Sequence, residues 1–566
     1  MCVSVCVCVW DMAAAGGDRL VPNDSRERIA TPSAESYGHN IVGFLFRERG
    51  WCAARDCADG KLAFRDAATE ETITYAELET AVKKLALAMR EDFMLPNAST
   101  GGKEKKIRRR VTVGIVAPNS YAYCVVWLAA AASGIVVTMA NSAYTAEELK
   151  AQFADASVDA VFTVNALMDR VREAAETSIS VYDIDTYVRE KRMSGESSIE
   201  TTADNAWIAE MDVEADILCL PYSSGTSGTP KGVMLSHRNV VANIVSVIRG
   251  DTTVLSIRYD DVVLGVLPFY HIYAMTCVML TSLCCGATVS TLPKFEPSLF
   301  LRALNEHKIS IGFLAPPLMG FLAKYPAVDA KNIHLRDVVC GAAPLGAELA
   351  LAVRERIPSL ESVRQGYGMT ELSPVSHAGP YASTKYGSIG KMIPNVECKI
   401  IGESGELCVR GPNVMLGYLN NDEATRACID SDGFMHTGDV ATVDDEGYFF
   451  IIDRVKELIK VKGFQVAPAE LENVLMTHEG VVDAAVIGVP ASSVEGVRDT
   501  DGEAIKAYVV LKDEGGKSMS ADDVKAYVAA RVAEYKWLTD VKFVSQIPKS
   551  GSGKILRREI RAGKLD

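Results

Sequence analysis

Between residues 111 and 164 short β-branched runs alternate with helical stretches, and no other feature constrains the chain as tightly. Val111 to Val116 predicts a strand and Tyr121 to Ala132 a helix; Ile135 to Met139 predicts a strand, Ala146 to Ala154 a helix, and Ala160 to Val164 a strand. Strands that alternate with helices cannot pair as hairpins, so they must stack as a parallel sheet with helices on its faces. The same texture recurs at "DVVLGVLP", "GATVSTLP" and "ISIGFLAPP", and a further helix is expected from Ala76 to Met89.

At 566 residues the chain exceeds what one hydrophobic core serves, so more than one domain is expected. From Gly402 to Ile452 the pattern shifts to short strands punctuated by Gly and Asp, which reads as a β-rich subdomain. A last unit mixes strands ("DAAVIGVP", "AIKAYVVL") with helices at Pro468 to Met476 and Ala521 to Glu534. The fold class is therefore α/β. A poorly ordered extension (1–39) precedes a large domain of layered α/β sheets (40–452), and a small mobile α+β lid (453–566) follows on a hinge at Asp453-Arg454.

The net charge of −14 argues against general nucleic-acid binding, which depends on phosphate neutralisation. The positive charge that exists is concentrated: seven Lys and Arg residues lie between Val541 and Asp566, against Glu559 and Asp566. Such a patch suits a solvated tail or a polyphosphate contact. A second basic run, Lys103 to Arg110, sits in a polar segment and reads as a solvated insertion. Fourteen scattered cysteines show neither a zinc framework nor a disulfide scaffold, and a reduced setting is expected. The N-terminal "MCVSVCVCVW" is too short to span a bilayer and lacks the basic start of a signal peptide. With a C-terminal Lys-Leu-Asp in place of Ser-Lys-Leu, a cytoplasmic location is expected.

The stretch "YSSGTSGTPKG" (222–232) has the makings of a phosphate loop but not of a Walker A motif. That motif needs a glycine before its lysine and a hydroxyl after it; here Pro230 and Gly232 flank Lys231. "PKSGSGKIL" has Gly553 before Lys554 but fails too, with Pro548 at the motif's first glycine position and Ile555 after the lysine. Hydroxyls from Ser223, Ser224, Thr226, Ser227 and Thr229, bends at Gly225 and Gly228, and the Lys231 charge still suit a polyphosphate.

"SSGTSGTPKGV", "GAAPLG", "QGYGMTE", "GELCVRG", "HTGD", "DRVKELIKVKGFQVAPAELE" and "SGSGKILRR" occur in this order. From about Gly38 onward the chain thereby resembles the adenylate-forming superfamily of acyl-CoA synthetases, luciferases and adenylation domains, nearest to 4-coumarate–CoA ligases. The resemblance implies a magnesium- and ATP-dependent acid–thiol ligase. A carboxylate attacks the α-phosphate of ATP to give an acyl-adenylate, and the thiol of CoA then displaces AMP.

Roles follow by matching positions. The loop Ser223 to Lys231 would hold the outer phosphates. Ala343, Gln365, Gly366, Tyr367 and Thr370 would line the adenine and α-phosphate, and Glu371 would hold Mg2+. Asp439 would accept from the ribose hydroxyls, with Arg454 and Lys456 beside the nucleotide. Lys554 would serve adenylation, and Lys460 with Gln465 the adenylate-bound state. Lys462, Gly463 and Lys294 would lie along the CoA path. His271, Tyr273, Ala274, Gly341, Gly368, Pro374 and Val375 would form the acyl pocket, His271 nearest the carboxyl group.

A hydroxycinnamic or related aryl acid is the expected substrate. Rival readings are a medium- or long-chain fatty acyl-CoA ligase, a luciferase-like oxygenase and a stand-alone adenylation module. "GMTELSPV" departs from plant coumarate ligases by carrying Leu372-Ser373 where they have Ala-Gly. Expected partners are a small carboxylic acid, ATP and CoA, with no nucleic acid and no transmembrane segment, in a monomer or weak dimer.

Overall fold

A computed structural model describes residues 19–21, 40–47, 57, 60–93, 111–193, 207–223, 230–248, 254–402, 405–461, 464–494, 502–512, 519–549 and 555–565. The basic run from Lys103 to Arg110 lies outside these residues, as do Ser224 to Thr229, Lys462, Gly463 and Lys554.

The alternating segments form two large sheets. In one of seven strands, Ile217–Ser223, Val136–Met139, Thr112–Val116, Ala160–Thr163 and Ser180–Asp183 run parallel in that order. In the other, of nine strands, Ser362–Gly368, Asp337–Cys340, Ile311–Leu314, Val262–Gly265, Thr288–Thr291 and Leu62–Asp66 are parallel, with antiparallel strands at both edges.

Helix ends follow local chemistry. Thr74 and Thr145 form capping boxes with Glu77 and Glu148 at the starts of Tyr75–Asp92 and Ala146–Asp155. Ser120 caps Tyr121–Ser133, which stops where Gly134 takes φ +72°. That helix is buried on all sides and packs against strands of both sheets, so its lack of a polar face is a requirement of its position. At its start the buried Asn119 donates to the carbonyls of Gly265 and Leu267 (2.9 and 2.8 Å) and accepts from Phe269 N–H (2.7 Å). This one carboxamide ties together the carboxyl ends of strands in the two sheets.

The β-rich subdomain is a five-stranded antiparallel sheet in the order Arg19–Val21, Glu397–Ile401, Glu406–Arg410, Met435–Val443, Phe449–Arg454. Its first strand corrects part of the expectation for residues 1–39. Arg19 to Val21 pair with Ile400 to Cys398, since that edge of the sheet offers unpaired backbone groups. Asp453 and Arg454, expected as a hinge, end the last strand, paired with Val440 and Asp439. Beyond them, Val481–Pro490, Glu503–Leu511 and Asp540–Phe543 form a smaller sheet with its own core of Leu471, Val486, Val509 and Val524. The helix expected from Ala521 to Glu534 spans Ala521–Ala529, shorter than expected, and a short helix, Arg557–Arg561, follows it near the end of the described chain. The chain leaves Ala521–Ala529 in time for Tyr535 to stack on Phe464, with ring centroids 4.5 Å apart. Among the described residues no helix is long and apolar enough to cross a membrane.

Two histidines are locked neutral by burial, which lowers both to about 3. His237 Nδ1 accepts from Ile41 N–H (3.2 Å), and His377 lies between Ser376 and Cys398 against the Phe449 ring. The unfolded chain protonates them at the ordinary 6.5, so their full stabilisation is present above that pH and is lost progressively as pH falls toward 3. Each contributes a slope of at most about 1.4 kcal/mol per pH unit in that window. His377→Asn is expected to make the fall of unfolding free energy between pH 6.5 and 4.5 shallower, read from urea unfolding at a series of pH values; an unchanged slope would remove His377 from the acid response.

Candidate active site

Several of the described motif residues, among them Ser223, Gln365, Tyr367 and Glu371, lie at or just beyond the carboxyl ends of parallel strands, where open α/β sheets bind ligands. With their neighbours they form three adjoining groups around the strand Ser362–Gly368 and the loop that follows it.

The first group surrounds Glu371, which is buried on a short turn of helix, Thr370–Leu372. Its Oε1 accepts from Ser223 Oγ (2.8 Å) and from Tyr418 OH (2.9 Å). Lys231 is paired with Ser223 across the two strands that flank the Ser/Thr/Gly loop, and its Nζ lies 4.9 Å from the centre of the Tyr418 ring. Cation, hydroxyl and carboxylate thus converge at the base of that loop.

The second group surrounds Asp439. Its Oδ2 accepts from Tyr367 OH (2.6 Å), while Oδ1 faces Arg454 Nε at 3.3 Å. Burial, followed by the Asp439 charge, pushes the Tyr367 hydroxyl well above its ordinary range, so it remains a donor. The neighbouring Gln365 uses its carboxamide internally: Oε1 accepts from Leu345 N–H (2.7 Å) and Nε2 donates to Ser388 O (3.2 Å). Its side chain therefore holds the "GAAPLG" loop, in which Ala343 is half-buried and Ala342 takes φ +70°. Gly366 is paired with Ala378.

The third group is apolar and close-fitting. Tyr273 OH donates to Val339 O (2.9 Å), and a Cβ placed on Gly341 would sit 3.1 Å from the Tyr273 ring. A Cβ on Gly368 would come within 1.9 Å of Pro374 O, so only glycine fits there. Pro374 and Val375 are buried behind it. His271 Nδ1 accepts from Tyr273 N–H (3.2 Å), and Ala274 opens a stretch of π-helix, Ala274–Leu280, that the sequence pattern does not signal.

In the smaller unit Lys460 and Gln465 face each other across a two-stranded hairpin, both exposed. The Lys460 backbone N–H donates to Glu503 (2.8 Å). Lys456 lies exposed in the turn after Arg454, and Lys294 is exposed before the helix Pro297–Glu306.

The model for AMP-binding enzymes matches residues 52–419, and that for their C-terminal domain matches 470–554. The chain belongs to the AMP-binding enzyme family. Relatives include 4-coumarate–CoA ligase 5 of Oryza sativa subsp. japonica, 38% identical over 88% of this chain and 90% of the relative. 4-Coumarate–CoA ligase 1 of Petroselinum crispum is 37% identical with the same coverage. Among solved structures, ATP-bound MatB of Rhodopseudomonas palustris superposes with a TM-score of 0.78 at 26% identity, over 93% of this chain and 99% of that one. The o-succinylbenzoate CoA synthetase of Bacillus subtilis with its acyl-adenylate gives 0.73 at 25%, over 92% and 98%. This member of the family is an AMP-forming carboxylate–CoA ligase that uses ATP and CoA, with a large N-terminal and a small C-terminal domain.

Several residues of this AMP-binding enzyme escaped the motif reading. Tyr418 is one: an aromatic residue in "LGYL" gives no sign that it will meet a carboxylate 47 positions away. Burial, followed by Glu371, raises its hydroxyl far above the ordinary range. Asn243 and Asn413 are others. Their amides donate to Leu372 O and Val375 O, at 2.7 and 2.8 Å for the shortest contacts, and clamp the loop behind Glu371 from two sides. Leu372 and Ser373, the two departures from plant coumarate ligases, are both buried, Ser373 donating to Asn413 O (2.8 Å).

Asp439→Ala separates ligand contact from scaffolding. A charged acceptor contributes roughly 1.5–3 kcal/mol per hydrogen bond, so ATP affinity measured by calorimetry is expected to fall at least about tenfold in a folded variant. Unchanged affinity would leave Asp439 as a partner of Tyr367 and Arg454 alone.

Proposed function

We propose that this ligase activates a flat aryl acid of the hydroxycinnamate class. The observation that carries the reading is the close approach at Gly341, where a Cβ would sit 3.1 Å from the Tyr273 ring, so that only the smallest residue lets the flat aromatic face line the site. The names of the coumarate ligases among its relatives support the same class. Leu372 and Ser373 do not count against it, because the first is packed in the core and the second is turned toward Asn413.

In this reading Ser223, the loop 224–229 and Lys231 take the outer phosphates of ATP. Glu371 fits a hard divalent cation, being a buried carboxylate oriented by Ser223 and Tyr418. Magnesium bound there would offset the triphosphate charge. Asp439 accepts from the ribose, Arg454 and Lys456 lie near the phosphates, and Gly366, Tyr367, Thr370 and Ala343 line the base. His271 and Ala274 flank the acid. The acid's carboxylate oxygen bonds to the α-phosphorus as the bond to pyrophosphate breaks, with Lys554 offsetting the negative charge. The thiol, losing its proton, then bonds to the acyl carbon as AMP departs. Lys460 and Gln465 attend this adenylate-bound state, with Lys462, Gly463 and Lys294 on the CoA path.

The decisive assay is CoA-dependent AMP release across cinnamates, benzoates, phenylacetates and fatty acids. Coumarate or caffeate is expected to exceed octanoate in kcat/KM, and a clear preference for the fatty acid overturns the assignment. Gly341→Leu, pressed against Tyr273, is expected to raise KM for aryl acids at least about tenfold while ATP binding stays near normal.

Lys554 and Gly463 lie on opposite sides of the small domain's sequence, and the reading has that domain rotate about Asp453-Arg454 between half-reactions. Single-turnover measurements on Lys554→Ala are expected to show adenylation slowed by ~10²–10³, with thioester formation from pre-made adenylate largely kept. Gly463→Leu should do the reverse. Equal loss of both steps in both variants would argue against rotation.

A further inference from the structure

The β-rich sheet carries a group of side chains that the ligase reaction does not use. On adjacent antiparallel strands Cys408 stands directly opposite His436. Glu406, two residues before Cys408, projects from the same face of its strand. One ligating atom from each of Glu406, Cys408 and His436 lies within 4.8 Å of the others. We propose that these three residues form a binding site for a zinc-class divalent cation, separate from the Glu371 group.

Three observations support it. Glu406 Oε2 and His436 Nδ1 are 3.3 Å apart. A tetrahedral ion with bonds of about 2.0–2.1 Å to oxygen and nitrogen holds such a pair at about 3.3 Å, so one edge of the tetrahedron is already set.

The second is the other face of the imidazole, where Nε2 points at Asp430 Oδ2, 3.7 Å away. Asp430 is itself held by Lys399 Nζ (2.8 Å) and by the N–H groups of Asp432 and Phe434 (3.0 and 2.8 Å). A fixed carboxylate behind a histidine is the arrangement that orients ligating imidazoles and raises their basicity.

The third is access and charge. Cys408 is fully buried, whereas the His436 and Glu406 side chains keep 29% and 19% of their exposure. Solvent can thus bring the ion in and supply a fourth ligand. Thiolate and carboxylate together balance a dication, and a sulfur–nitrogen–oxygen donor set selects zinc-like ions over magnesium.

An ion here would tie the strands Glu406–Arg410 and Met435–Val443 together close to Asp439, the residue to which the proposed function gives the ribose. Glu406 Oε1 accepts from Gly438 N–H (2.9 Å), the residue before Asp439. Occupancy would therefore brace the stretch of this strand that presents the Asp439 carboxylate.

The test uses the full chain, stripped with a chelator and titrated with Co2+ in excess Mg2+. A sulfur-to-cobalt charge-transfer band saturating at one equivalent and displaced by Zn2+ is expected. Cys408→Ser should abolish the band, which separates this thiol from the other cysteines. His436→Gln should weaken Co2+ binding at least about tenfold, and Asp430→Asn by ~10–100-fold through loss of imidazole orientation. Should Cys408→Ser fail to fold, the two variants at the solvent side decide the matter. Absence of the band in the wild-type chain overturns the proposal. So does a band of full intensity and unchanged affinity in the folded variants, because other residues would then hold the ion.

Discussion

The site depends on a buried ion pair one residue from its edge. Arg364, on the strand Ser362–Gly368, meets Asp337 on the neighbouring parallel strand at 2.6 Å, with both side chains almost wholly excluded from water. Such a pair is tolerable only when its remaining valences are filled. Here Ser256 donates to Asp337 (2.6 Å), and Arg364 donates to Gly379 O (2.7 Å). Losing one partner would strand the other charge in the core at a cost of about 3–5 kcal/mol. Register therefore cannot slip between these strands, and Gln365, Gly366, Tyr367 and Gly368 emerge from the sheet in fixed succession.

From that fixed strand the site is assembled by donors that sequence distance hides. Gln365 holds the loop of Ala342 and Ala343, while Asn243 and Asn413 hold the segment Leu372–Val375 between them. Glu371 is thus presented on backbone that is itself hydrogen-bonded from two sides. A carboxylate positioned this way spends no free energy on reorientation when charge arrives, which is the economy of a preorganised site. The smaller domain has a separate core and carries Lys460 and Gln465 on an exposed hairpin.

Much of this was legible in the chain. The parallel strands between residues 111 and 164 lie within a residue or two of where β-branched runs put them, because a strand buried on both faces is largely apolar along its length. The helix Pro468–Met476 begins at a proline whose missing N–H costs nothing in a first turn, and its sequence bounds hold. Less legible were the features set by distant neighbours. The strand Arg19–Val21 exists through an edge offered by Glu397–Ile401, and the π-helical stretch from Ala274 has no period of its own to announce it. Tyr418 reads as a plain core aromatic until Glu371 and Lys231 are placed beside it.

The sequence alone determined the family and the chemistry of its motifs, since a loop of hydroxyls with one lysine, a "QGYGMTE" and an "HTGD" restrict what a chain can do wherever they fold. Tertiary structure decided which of those groups meet. Ser223 and Glu371 are 148 positions apart, and Tyr367 and Asp439 are 72 apart. Cys408 and His436 face each other only because two strands share a register. Periodicity and capping act over a few residues, so they fix elements; contacts at these separations follow from sheet order and packing, which no local pattern encodes.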